Sequence, residues 1–229
     1  MNWVLSLRSN ERKVKIISVF LLIVTSLTVL FQIVSALFIA KDGLSRLIYF
    51  TIQSNILIAI VLLFYILKKQ QHLWFNRLAF IGLVNISVTG IVFHVLLAPY
   101  MSIISFMQHM LHTINPLLYI LFYFFIISTF IPLKELYISL IYPLLYILFV
   151  FFFVSPVLGN YLESMTGSWQ VSRYVYPFLN PSNYRNGIIG MLIFNLGILA
   201  PSIFGFSFLL RHFKQKLESS ITKKETSDV

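Results

Sequence analysis

The chain has 229 residues, of which 59% are hydrophobic and 10% charged, against roughly 25% charged in an ordinary soluble domain. With a mean hydropathy of +0.88 and 23 Phe, this balance excludes a soluble enzyme, a disordered chain and a collagen-like fibre. Seventeen Lys and Arg outweigh seven Asp and Glu, a net charge of +10, and there is no cysteine. Disulfides, thiol catalysis and thiolate metal sites are therefore excluded. The basic excess reads as loop and tail charge that sets topology and meets lipid headgroups, so the expected partners are membrane lipids and not nucleic acid.

Taken in chain order, Arg8, Arg12, Lys13 and Lys15 precede an apolar run over 16–40. That run is longer than the 7–15-residue core of a secretory signal, so it reads as an uncleaved first span. A second span is expected over 47–67, closed by Lys68-Lys69, and a third over 78–98, ended by Pro99-Tyr100. The fourth covers 107–130, up to the turn at Pro132-Leu133-Lys134-Glu135, and the fifth covers 136–154. A linker rich in Gly, Pro, Asn and Ser leads to a sixth span over 187–210. Residues 211–229 form a polar tail, expected to be disordered beyond its first turns. The runs are apolar on both parities, which fits helices and not the alternating strands of a barrel. The expected fold is thus all-α: a polytopic membrane protein built as one six-transmembrane-helix bundle over residues 1–210.

With six spans, thirteen of the Lys and Arg fall on the side of the termini and four on the other. The positive-inside rule then puts both termini in the cytoplasm of a cell-membrane protein. No Asp, Glu, Lys or Arg lies inside any span, which argues against a proton-coupled carrier.

The informative polar residues cluster at the outer level. His94 ends the third span, His109 and His112 begin the fourth three residues apart, and Thr51, Ser54 and Asn55 form an i, i+3, i+4 stripe at the start of the second. Thr51 would lie roughly 6 Å deep at 1.5 Å per residue. A neutral imidazole can act as a base near neutral pH without placing a permanent charge in lipid. A hydroxyl and a histidine at one depth can pair as nucleophile and base. A zinc site using His109, His112 and either His94 or Glu163 is a competing reading; no metal or cofactor is the expectation. Thr51, His94, His109 and His112 are expected to converge on one pocket, capped by Trp169 and Tyr176. Asn55 is the candidate oxyanion donor, and Glu163, Asn115 or a backbone carbonyl would orient the imidazole.

Three segments carry a resemblance: Tyr49-Phe50-Thr51; His109-Met110-Leu111-His112-Thr113-Ile114-Asn115-Pro116; and Thr166-Gly167-Ser168-Trp169 followed by Val175-Tyr176-Pro177-Phe178-Leu179. They resemble the androgen-induced and androgen-dependent TFPI-regulating family of six-span membrane proteins, and more closely their bacterial relatives, the Pr-six-Pr proteins. The resemblance implies a membrane threonine hydrolase of fatty acid esters of hydroxy fatty acids, with Thr51 as nucleophile and His112 as its partner. The implied substrate is a long-chain lipid ester. The alternative is a non-enzymatic membrane protein, either a small facilitator or a scaffold, that retains the same fold.

Overall fold

The computed structural model describes residues 2–40, 45–166 and 173–227, and every regular element among them is helical. In order these are α1 (Asn2–Ser9), α2 (Glu11–Val34), α3 (Phe50–Ile66), α4 (Leu73–Val92), α5 (Phe106–His109), α6 (Asn115–Phe125), α7 (Ile138–Phe149), α8 (Gly159–Thr166), α9 (Gly187–Leu192) and α10 (Ala200–Ser227). Wide π turns at Met110–Ile114, Val150–Leu158 and Ile193–Leu199 join α5 to α6, α7 to α8 and α9 to α10, and others extend α2 over Ser35–Ala40 and α4 over Phe93–Leu97. Four of the resulting helices, Glu11–Phe38, Leu73–Tyr100, Leu133–Ser164 and Gly187–Lys224, are long and apolar enough to cross a membrane. Helix α3 is apolar but has 17 residues, about 25 Å at 1.5 Å each. The α5–α6 rod carries Gln108, His109, His112 and Asn115 in its first turns.

Local chemistry sets the helix ends. The Asn10 side chain accepts from Lys13 N–H at 2.9 Å at the start of α2. Ser105 and Gln108 close a reciprocal capping box ahead of α5. Helix α3 ends in a Schellman motif, in which Lys68 turns left-handed at φ 57° and the N–H groups of Lys69 and Lys68 reach back to Phe64 and Tyr65. Pro99, Pro116, Pro156 and Pro201 fall within or just after π turns. A proline has no N–H to offer the preceding turn, and the wider turn accommodates its ring and the freed carbonyl.

Helix α4 is the central element: 56% of its most apolar window is buried, against 17–28% for the other three long helices. Its Phe75, Ala79, Phe80, Leu83, Val84 and Ile86 form the middle of the core, packed against α3 and α6. Phe20, Ile23, Leu27 and Leu30 of α2, and Ile188, Ile189 and Ile193 at the other edge, stay exposed. Apolar flanks of this extent fit hydrocarbon, not water. Where α4 and α6 cross, a Cβ on Gly82 would lie 3.1 Å from the Tyr119 hydroxyl, and one on Gly90 3.0 Å from the His112 carbonyl. Both glycines therefore permit the close approach.

One end of the bundle gathers its charges. Arg77 and Glu135 make a two-pronged ion pair, at 2.8 Å for both contacts. Arg8 holds both oxygens of Glu218, at 2.8 and 2.7 Å. Arg8 also donates to the carbonyls of Phe124, Phe125 and Ile127 at the end of α6. Lys214, fully buried, donates to Phe124 O at 2.9 Å, to Ile127 O and to Glu218 at 2.6 Å. These cations satisfy carbonyls that a helix C-terminus leaves without partners. The same contacts overturn the expectation that the tail is disordered beyond its first turns. Helix α10 runs on to Ser227, because Lys214 and Glu218, one turn apart, dock its polar continuation onto α1 and α6.

Candidate functional site

The site begins where α3 begins. Tyr49 is extended and gives the helix no side-chain cap, so the first-turn N–H groups need partners from elsewhere. Two tyrosine hydroxyls lie beside them. That of Tyr176 sits against Thr51 and the backbone of Phe50. That of Tyr146, on α7, donates to Ile48 O at 2.9 Å and lies against the Phe50 N–H. Burial pushes the Tyr176 phenol up to about 12, so it stays a protonated donor at physiological pH.

Thr51, in that first turn, meets His112. Its Oγ1 lies 3.1 Å from His112 Nε2. His112 sits in the π turn Met110–Ile114, and its Nδ1 is 2.8 Å from the Gln108 carbonyl oxygen. A carbonyl only accepts, so Nδ1 carries the proton and Nε2 presents its lone pair to the Thr51 hydroxyl. The imidazole stacks on Phe93 with centroids 3.8 Å apart and planes 12° apart. The close approach at Gly90, three residues before Phe93, brings those rings together. His112 is 9% exposed.

The rest of the α3 stripe ties helices together. Ser54 and Thr89 share a 2.8 Å hydroxyl contact. Asn55 gives its amide hydrogens to Thr51 O and Leu111 O, at 2.8 and 3.3 Å, and accepts from Asn115 Nδ2 at 2.8 Å. Both of its donors are engaged, so Asn55 is not an oxyanion donor. Asn115 steadies Asn55 and does not touch the imidazole. The Gln108 carbonyl holds the orienting place, while Glu163 pairs with Arg173 at 2.9 Å.

The expected convergence of four residues holds for two of them. His94 is exposed, with its Nε2 2.9 Å from Thr113 Oγ1, and His109 is exposed. Neither lines the cavity. The π turn begins at Met110, between His109 and His112, and its wider winding separates faces that a regular helix would align. Among the described residues, no three His, Asp or Glu side chains gather as a metal-binding group. Trp169 lies outside the described residues, and Tyr176 lines the pocket as expected.

Thr51, His112 and Tyr176 border a cavity walled by Phe50, Val92, Phe93, Leu97, Ile147 and Leu199, among others, with no charged residue on its lining. Three contributors escaped the sequence reading, Phe93, Tyr146 and Asn195, and the backbone carbonyl it allowed for is that of Gln108. Spacing could have suggested Phe93, one residue before His94. A backbone carbonyl leaves no trace in residue types. No family model, curated protein or solved structure matches the chain.

Proposed function

We propose that this chain is an integral membrane hydrolase that cleaves lipid-like acyl esters with Thr51 as nucleophile and His112 as general base. The observation that carries this reading is the 3.1 Å Thr51–His112 contact at an apolar cavity, with the imidazole tautomer set by the Gln108 carbonyl. A Thr hydroxyl attacks only when a base takes its proton. Nε2 accepts that proton as Oγ1 adds to the ester carbonyl carbon. The imidazolium then returns it to the departing alkoxide, and water, activated by the same nitrogen, releases the acid and regenerates Thr51. The Tyr176 hydroxyl, already against Thr51, is the nearest neutral donor for the tetrahedral oxyanion. The apolar lining suits an acyl chain, and an uncharged pair avoids placing a net charge beside hydrocarbon. The three segments that resemble the threonine hydrolase family named above point the same way.

The test is labelling by a long-chain alkyl fluorophosphonate. Wild-type protein is expected to label at Thr51, and Thr51→Val to lose the label. An unlabelled wild-type protein would leave the scaffold or facilitator reading in its place.

The same proposal places six spans in the cell membrane, with both termini cytoplasmic and Thr51 toward the outer leaflet. The thirteen-to-four distribution of Lys and Arg supports it, as does the gathering of Arg8, Arg77 and Lys214 at one end of the bundle. The chain lacks cysteine, so single introduced thiols report cleanly. Ser182→Cys, at an exposed position in the 173–186 stretch, is expected to react with an impermeant maleimide on intact cells, and Ser220→Cys is not. The reverse pattern would invert the orientation.

A further inference from the structure

We propose that the cavity selects an uncharged ester bearing a free hydroxyl, a partial glyceride being the simplest chemistry, and that Asn195 Oδ1 is the acceptor that reads this hydroxyl. The inference rests on the hydrolase reading for the word ester, but the recognition itself does not need catalysis.

Asn195 stands in the π turn Ile193–Leu199, is 2% exposed and lines the cavity with Thr51 and His112. Its Nδ2 donates to Phe178 O at 2.8 Å and to Met191 O at 2.9 Å. Both partners are carbonyls, so the amide cannot be turned round without facing oxygen to oxygen. Its Oδ1 is therefore fixed as the acceptor, and it is buried with no hydrogen-bond partner. Leaving a buried acceptor so is costly.

The other polar side chains on the lining are engaged. Thr51 holds His112, Thr89 donates to Asn85 O at 3.0 Å, Tyr146 donates to Ile48 O, and the Tyr176 hydroxyl lies against Thr51. The cavity is thus lined by apolar wall, the Thr51–His112 pair and the residue that carries one unanswered acceptor. Such an acceptor calls for an O–H or N–H. It repels a carboxylate or phosphate, and no Lys or Arg lines the cavity to neutralise either. Asn85, Ser87 and Asn115 also hold unpartnered buried atoms, but they do not border the cavity. The chemistry that satisfies the site is an acyl ester with a hydroxyl on its alcohol portion.

The experiment uses ether analogues that no hydrolase can open. Binding of 1,2-di-O-octylglycerol and of its 3-O-methyl ether is measured by displacement of a fluorescent lipid from the purified full chain in detergent. A third ligand of matched length ends in a carboxylate. The free alcohol is expected to bind about tenfold or more tightly than the methyl ether, the usual effect of leaving a buried polar group unpaired. The carboxylate is expected to bind more weakly than the alcohol. Asn195→Leu should bring the alcohol-to-methyl-ether ratio to within about twofold.

A wild-type ratio near one overturns the proposal whatever the variant does, and so does tightest binding by the carboxylate. Turnover of 4-nitrophenyl octanoate by the same preparation reports separately on the hydrolase reading. Its absence would remove the reaction and leave hydroxyl recognition to stand or fall on the binding ratio.

Discussion

His112→Gln is expected to lower the turnover of an acyl ester in proteoliposomes by about three to four orders of magnitude, the usual cost of removing the base from a nucleophile–base pair. Gln can fill much of the imidazole volume and can hydrogen-bond Thr51, but it cannot take a proton from it. The effect should fall on kcat with little change in KM, because the cavity wall that binds the chain is largely kept. The contrast with its neighbours makes the result specific. His94 is exposed and paired with Thr113, and His109 is exposed. Gln at either position should leave the rate within about twofold, as surface changes away from a site do. A metal site shared by the three histidines would instead lose activity at all of them. Retention of more than about a tenth of the wild-type rate by His112→Gln would remove the proposed base.

Glu218→Ala is expected to destabilise the fold by about 3–5 kcal/mol, because it strands the buried Lys214 and the half-buried Arg8, which share its carboxylate. Arg8 and Lys214 both bond Glu218 and both reach Phe124 and Ile127 carbonyls. Without the carboxylate they face each other across a site in which Lys214 is fully buried. Thermal unfolding in detergent should shift downward, and limited trypsin should open the tail at Lys216 and Lys223, which the wild-type helix protects. Joint replacement of Arg8 by Met, Lys214 by Leu and Glu218 by Leu should restore much of the loss, as apolar isosteres of buried ion clusters often do. An unchanged unfolding temperature for Glu218→Ala would mean that the cluster is solvated and contributes little.

Much of this architecture was legible. The apolar runs, their Pro and Lys-Lys ends and the polar stripe on α3 reflect local composition, and helices form over them, although the fifth continues past its expected end at residue 154 to Thr166. Thr51 and His112 were legible too, because depth along a helix can be counted at a fixed rise per residue. What failed was direction around the axis. His94 and His109 sit at the anticipated level but point away, since π turns change the winding where these residues lie. The extension of α10 was hidden for another reason: its polar composition matches a solvated tail, and its stabilising partner lies 210 positions earlier at Arg8. The free oxygen of Asn195 was likewise invisible, because only the fold decides which carbonyls take up its two amide hydrogens.

That 210-residue separation bears on how the molecule is made. At about 5–20 residues per second, the ribosome needs roughly 10–40 s after Arg8 emerges before it delivers Lys214 and Glu218. Until then the carbonyls ending α6 have Arg8 but lack Lys214, and Arg8 lacks the carboxylate that pairs with it. Insertion of the apolar segments can proceed as each appears, but this end of the bundle seals only once α10 has been made. A nascent chain stalled or cut before Lys214 would carry Arg8 and the bare end of α6 without their closing partner. Quality-control proteases could recognise that unfinished state, so one cluster of charges reports whether α10 has joined α1 and α6.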